Sequence, residues 1–383
     1  MSLVMYIIVM KILIVGAGLY GCTAAKLLKD RGHEVEIAEA SSQIGGMCHT
    51  HFRNGIEVHD FGPHIFHTDD EWVWNFVNSI CAFNRYEHHV LAKHHDEMYF
   101  MPFNLHMMQQ FFKHSHHGLM SADSIRRLIM NEVNAEKSDN PKNLEEQAIS
   151  LVGTSLYEAF IKNYTKKQWH KDPIELSPDI IKRLPVRYDY SISYYNDKYV
   201  GIPVNGYTAM AEAMADGIKV HFRTKFSLQA VKDALKHFDK VIYTGPLDEL
   251  FEYKHGQLEW RSLSFTEEEF FTESVQGAAC VNYVDDDVPW TRTHEYKWYH
   301  PENREQISQE FTVLQTETPQ DWDISKPRFY PVSSRDSLEM HKRYMEEAAA
   351  VDGLVIGGRL GKFKYLDMDD TILAARDDVE KII

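Results

Sequence analysis

At 383 residues, 44% hydrophobic and 26% charged, the chain is long enough for two or three packed domains and too apolar to be disordered. Its formal net charge of -16 argues against a general nucleic-acid binder, which needs basic surface to displace counterions from phosphates, yet leaves room for a local arginine cluster that holds a small anion. The four cysteines, Cys22, Cys48, Cys81 and Cys280, form no CxxC pair, and no stretch nears the roughly 20 apolar residues of a membrane span, so a reducing, cytoplasmic setting is expected.

The apolar run 3–15 lacks the basic leader and cleavage site of a signal peptide and leads into glycines, so Lys11–Val15 reads as a strand. Gly16, Gly18 and Gly21 then form GxGxxG ahead of a helix expected over 22–31, which Gly32 ends. The first glycine permits a sharp turn, the second admits a pyrophosphate to the backbone, and the third lets helix and strand pack closely. The phosphate sits at the helix N-terminus. A second strand over 34–39 completes a βαβ unit and ends in Glu39, whose carboxylate can accept hydrogen bonds from an unphosphorylated ribose. Gly45 and Gly46 follow, where a double glycine lets the chain run beside an extended dinucleotide. Gly357, Gly358 and Arg359 near the end supply a second glycine site after a strand, and the two together favour FAD over NAD.

Between these sites, 87–102 is strand-like and 104–169 is mostly helical in pattern, with helices expected over 105–112, 121–137 and 144–163. The tyrosine-rich 188–199 reads as strand or loop, 241–245 as a return to the parallel sheet, and 262–315 as a second, antiparallel sheet. A last helix is expected over 368–379. The expected fold is α/β: an FAD-binding Rossmann-like domain of the glutathione-reductase type, assembled from 1–85, 206–247 and 330–383. A helical domain with a mobile lid is inserted at 104–183, and 86–103, 184–205 and 248–329 form an antiparallel substrate sheet. The 21 histidines include adjacent pairs but no HExxH or Cys/His framework, so no metal site is expected. The acidic runs at 267–269 and 285–287 read as solvated faces or turns.

Several longer strings carry a closer resemblance: Gly62-Pro63-His64-Ile65-Phe66-His67-Thr68, Tyr164-Thr165-Lys166-Lys167-Gln168-Trp169, Lys182-Arg183-Leu184-Pro185-Val186-Arg187, Val288-Pro289-Trp290-Thr291-Arg292 and Gly358-Arg359-Leu360-Gly361 with Tyr365-Leu366-Asp367-Met368-Asp369. In order and spacing the chain resembles the bacterial UDP-galactopyranose mutases along essentially its whole length. That resemblance implies a redox-neutral interconversion of UDP-galactopyranose and UDP-galactofuranose, with N5 of reduced FAD as covalent nucleophile at the anomeric carbon. It further implies NAD(P)H or another reductant, a homodimer, and a role in cell-wall or surface polysaccharide synthesis.

By the same resemblance Arg183 and Arg292 serve the pyrophosphate as catalytic residues, with hydroxyls from Tyr194, Tyr330 and Tyr365, while Phe160, Tyr164, Thr165, Trp169 and Arg261 contact the nucleotide sugar. Gly62 and His64 belong against the flavin, His64 as a third catalytic residue, and Arg359, Asp367 and Met368 at its other end, with Asp367 supporting Tyr365 or the cofactor. On spacing alone, Phe160 and Tyr164 read equally as one core-packed helix face. Met47 and His170 depart from the family, which carries a polar residue and a glycine there, and 308–326 matches it poorly. The alternatives are an amine-oxidase or desaturase type of flavoenzyme, which calls for an apolar cavity, and a non-catalytic FAD-binding protein. The arginine and tyrosine set favours a diphosphate ligand.

Overall fold

Ile12, Leu13, Ile14 and Val15 are all buried, without the alternation of a half-exposed strand, so Lys11–Val15 is covered on both faces. In the computed structural model, which describes residues 8–113, 115, 120–136, 140–182, 184–303 and 309–383, it is the middle of a five-stranded parallel sheet. The strands lie in the order Leu354–Ile356, Lys240–Tyr243, Lys11–Val15, Glu34–Ala38, Lys219–His221. The strand–glycine signals that recur far apart in the chain are therefore neighbours in one sheet. Lys219–His221, only three residues long with a single apolar residue at its centre, has no counterpart in the sequence reading.

The first helix spans Leu19–Asp30, an earlier start than the pattern suggests, which puts Gly21 inside its first turn. A Cβ on Gly21 would stand 1.9 Å from the Gly16 carbonyl oxygen, so a side chain there would push the helix off the strand. Across the sheet's C-terminal edge lies a second, seven-stranded sheet in the order Tyr330–Pro331, Trp260–Phe270, Thr312–Asp321, Arg292–Glu295, Cys280–Tyr283, Val90–His94, Glu97–Met101. It is antiparallel except where Cys280–Tyr283 runs parallel to Val90–His94, a pairing made possible by the long crossover between them. Tyr330, grouped by sequence with the nucleotide-binding segment, instead pairs with Arg261 at this sheet's edge.

The helical stretch comprises Leu105–Phe112, Ala122–Ala135, Leu144–Val152 and Thr154–Tyr157, whose apolar faces meet in a core of their own that includes Ile125, Ile129, Leu144, Val152 and Leu156. Asn104, Ser121 and Asn143 start three of these helices by accepting the backbone N–H of Met107, Ser124 and Glu146. The last helix does not stop near 163. A π-helical turn, Glu158–Lys162, passes into Asn163–Trp169, so 165–169 is helical rather than loop. Among the described residues no helix is long and apolar enough to cross a membrane.

His170 closes that helix in the left-handed conformation, with φ +50°. That conformation costs a side-chain-bearing residue roughly 1–2 kcal/mol, and the exposed contact of its Nδ1 with Asp321 Oδ1 at 3.1 Å offsets little of it. His170→Gly should therefore stabilise the fold by about 0.5–1 kcal/mol, read as a higher urea midpoint. A lower midpoint would mean that the Asp321 contact outweighs the backbone strain.

Candidate functional site

A cavity of about 980 Å³ opens between the C-terminal ends of the parallel strands and the inner face of the seven-stranded sheet. This is where open α/β sheets place ligands. Its floor is made by two glycine turns that face each other: Gly45 N–H donates to the Ala17 carbonyl at 2.8 Å, and Gly18 bridges to Gly45. Gly46 has φ +58°, and a Cβ on it would lie 2.9 Å from the Gly18 Cα. The double glycine thus serves chain-to-chain approach first, and the exposed backbone left between the turns is what a pyrophosphate could reach.

Glu39 braces this floor: its Oε2 accepts the Ala17 N–H at 2.7 Å and its Oε1 the Ser41 N–H at 2.7 Å. Each oxygen retains a second lone pair for a ribose hydroxyl. Gly16, Gly18, Gly21, Glu39, Gly45, Gly46, Gly62, Gly358, Arg359, Asp367 and Met368, the whole nucleotide-binding set named from sequence, line the one cavity. Met368 opens the helix Met368–Ile382, whose N-terminal amides carry partial positive charge toward the cavity, while the Asp367 carboxylate lies near the Tyr365 hydroxyl. Arg359 donates to the carbonyls of Phe329 and Arg328, the latter at 2.7 Å, and so ties the late glycine turn to the strand of Tyr330.

At the other end, the loop after Ile56–His59 brings His64 to the cavity wall. Its backbone N–H donates to His59 Nδ1 at 2.9 Å, and its own Nδ1 donates to the Gly62 carbonyl at 2.8 Å. A carbonyl can only accept, so the neutral ring carries its proton on Nδ1 and leaves Nε2 as an acceptor. Burial holds this imidazole down at about 4, so it is neutral at physiological pH.

Arg292, Tyr194, Tyr330 and Tyr365 face the same space, with the Tyr330 and Tyr365 rings stacked at 6.0 Å and the Arg292 guanidinium 5.9 Å from the Tyr164 ring centre. Trp169 stands 6.2 Å from Tyr330 and does not itself line the cavity. The remaining sequence candidates are placed differently. Phe160 is buried in the helical core against Tyr99, Phe111 and Phe103, as its spacing with Tyr164 allows, and it does not line the cavity. Thr165, next to Tyr164 in the chain, is buried and does not line the cavity either. Tyr164 lies below the wall, its hydroxyl without a hydrogen-bond partner among the described residues. Arg261 is committed to Asp321 and the Gln168 carbonyl and is likewise absent from the lining. Arg183 lies outside the described residues.

The structure adds groups that the sequence reading did not single out. Glu317, His294, Asn282, His88 and Tyr195 all line the cavity. Glu317 is directly opposite Arg292 across two strands, with side-chain exposure of only 3%. The signal was present in the strand Thr312–Asp321, where Gln315 and Glu317 take successive inward positions that an ordinary core strand fills with apolar residues.

A family model of UDP-galactopyranose mutase matches residues 159–365, and one of an NAD(P)-binding Rossmann-like domain matches residues 14–80. A probable UDP-galactopyranose mutase of Klebsiella pneumoniae is 37% identical over 380 residues, covering 97% of this chain and 94% of that protein. A dTDP-fucopyranose mutase of Escherichia coli is 35% identical over 373 residues, covering 95% of this chain and 96% of that protein. A crystal structure of reduced UDP-galactopyranose mutase matches with a TM-score of 0.77 and 15% identity, over 97% of this chain and 95% of that one, which is a likeness of fold.

The histidines around the cavity make the fold acid-sensitive. Burial depresses His59 and His294, holds His64 at about 4 and His88 at about 3, whereas an unfolded histidine protonates near 6.5. The unfolded chain therefore binds more protons below about 6.5, and stability present above that pH is lost as pH falls toward 4. His300 works in the opposite sense: burial acts to lower it, but Glu57 at 2.6 Å and Glu302 at 3.0 Å outweigh burial and raise it. The depressed group is larger, so stability should drop by on the order of 3 kcal/mol between pH 7.5 and pH 5, measured by urea unfolding. His88→Asn should flatten the dependence; an unchanged slope would remove His88 from the account.

Proposed function

This chain belongs to the UDP-galactopyranose mutase family, and we propose that it interconverts the pyranose and furanose forms of UDP-galactose with FAD as its cofactor. One observation carries the reading: a single cavity joins a glycine-built dinucleotide cradle to Arg292 and the hydroxyls of Tyr194, Tyr330 and Tyr365. A guanidinium and phenols suit a diphosphate, and an apolar substrate would leave them unpaired.

The cradle fits FAD. Two opposed glycine turns, an acid poised for a ribose, a late glycine turn and a helix N-terminus all line the one cavity, more backbone contacts than a single mononucleotide needs. Gly16, Gly18, Gly21, Gly45, Gly46 and Glu39 would hold the adenosine and pyrophosphate, and Gly62, His64, Gly358, Arg359, Asp367 and Met368 the flavin side. Reduced FAD, when bound, supplies a nucleophile for the sugar's anomeric carbon. NAD(P)H or another reductant is needed only to set that state, since the isomerisation consumes no electrons.

The chain's own groups do the rest. Arg292 takes the charge that builds on the diphosphate as it leaves the sugar and returns to it, and the tyrosine hydroxyls donate to its oxygens. Arg183 is assigned to the same diphosphate by resemblance alone. His64, neutral with a free Nε2, accepts a hydrogen bond without adding charge beside the reacting carbon. Tyr164 and Trp169, carried on the helix Asn163–Trp169, back the wall over the nucleotide sugar, Tyr164 behind Arg292 and Trp169 behind Tyr330, and help keep water from it. We place Phe160 and Arg261 in support of that helix: Phe160 packs beneath it, and Arg261 donates to the carbonyl of Gln168.

The relative from Escherichia coli supports a second reading, the same ring interconversion on a dTDP-linked 6-deoxy sugar. Anaerobically reduced protein should convert UDP-galactofuranose to the pyranose form, followed by anion-exchange chromatography, and oxidised protein should not. A parallel assay with dTDP-fucofuranose decides between the sugars; reduced protein that turns over neither would sink both readings. Arg292→Ala should lower kcat/KM by about 10²–10³-fold with flavin absorbance retained.

A further inference from the structure

The Arg292 guanidinium does not stand alone while it waits for a ligand. Glu317 Oε2 lies 4.0 Å from Arg292 Nη1 and 3.4 Å from His294 Nε2, and its Oε1 lies 3.4 Å from Thr291 Oγ1. The carboxylate is almost wholly buried, lines the cavity, and comes within 3.6 Å of where a Cβ on Gly62 would sit, at the base of the His64 loop. The charged and titratable groups around it are Arg292 and His294 from the neighbouring strand, His64 from the loop, and Tyr164, Tyr330 and Tyr296. Burial of Glu317 works against its charge, but Arg292 and His294 outweigh it and keep the group ionised, while His294 itself is held neutral. The pair is thus balanced, one positive charge against one negative, when no anion is present.

We propose that Glu317 is a positioning residue that stands in for the diphosphate: it neutralises Arg292 in the empty site and competes with the nucleotide for that cation, so that the nucleotide is held loosely enough to be released. The inference rests on the reading of Arg292 as the diphosphate's cation. The 4.0 Å separation is longer than the 2.7–2.9 Å of a charge-assisted hydrogen bond, so the guanidinium is neutralised without being locked and keeps donors for a phosphate. Once a diphosphate arrives, the carboxylate becomes a like charge in a low-dielectric pocket and weakens its hold. A merely structural ion pair has the opposite consequence: loss of Glu317 would let Arg292 wander and binding would weaken.

The test is UDP binding by calorimetry to the flavin-loaded wild type, Glu317→Gln and Glu317→Asp, with melting temperatures measured with and without UDP. Glu317→Gln should bind UDP about tenfold more tightly. Its melting temperature without UDP should fall, and UDP should raise it further than in the wild type, because the nucleotide now supplies the missing counter-charge. Its kcat should fall together with KM, since the nucleotide is held in a deeper well. Glu317→Asp, with the charge kept but withdrawn by one methylene, should show a smaller tightening and covers the case in which the glutamine variant does not fold. Unchanged or weaker UDP binding in either folded variant overturns the proposal. Wild type that binds neither UDP nor dTDP overturns the reading of Arg292 first and this inference with it.

Discussion

Two backbone turns meet where a side chain on Gly46 would run into Gly18. Gly46 rests on Gly18, Gly45 hydrogen-bonds to Ala17, and the Glu39 carboxylate spans the Ala17 and Ser41 amides to hold both turns in place. If that contact opened by the width of a methyl group, the helix Leu19–Asp30 would no longer sit on its strand, and the loop toward Gly62 and His64 would start from a different point. The position of the cavity, and of everything that lines it, follows from this close approach.

The second sheet answers the first with charge rather than with space. The protein as a whole is acidic, yet the cavity's far wall offers Arg292 and, nearer the glycines, Arg359, each satisfied differently. Arg359 is consumed by two backbone carbonyls and works as a tie between segments. Arg292 faces a carboxylate across a strand pair at a distance that leaves its donors open. Cross-strand register decides this difference: a one-residue slip of Arg292–Glu295 would turn Arg292 and His294 away from the cavity and bring Thr293 into it. Neutral, buried histidines complete the wall without adding positive charge beside Arg292.

The helical insertion shows how the same aromatic residue type can hold a fold or face a ligand. Phe160 and Tyr164 are one turn apart, but the π-helical turn between Glu158 and Lys162 widens the helix there. Phe160 is left among Tyr99, Phe103 and Phe111, and Tyr164 lies under Arg292. Arg261 and Asp321 fasten the end of this helix, where His170 holds a backbone conformation that favours glycine. The acceptor set at that end is therefore built for anchoring the helix, and sequence resemblance alone had assigned Arg261 to the ligand.

The chain's own letters settled the parts that depend on neighbours in sequence. The glycine turn after Lys11–Val15, the acid closing the next strand, and the late strand before Gly358 each follow from local conformational freedom and burial, and every nucleotide-binding residue read from them lies on one cavity. The family resemblance extended this to Arg292 and to Tyr194, Tyr330 and Tyr365. What pairs across strands was not legible, because register and orientation are set by contacts between segments far apart in the chain. That is why Glu317 opposite Arg292, the parallel pair inside the second sheet, Tyr330 at the sheet edge and Phe160 in the helical core came only from the folded structure. A side chain's type is written locally, but whether it meets solvent, a ligand or another side chain is decided by which distant backbone packs against it.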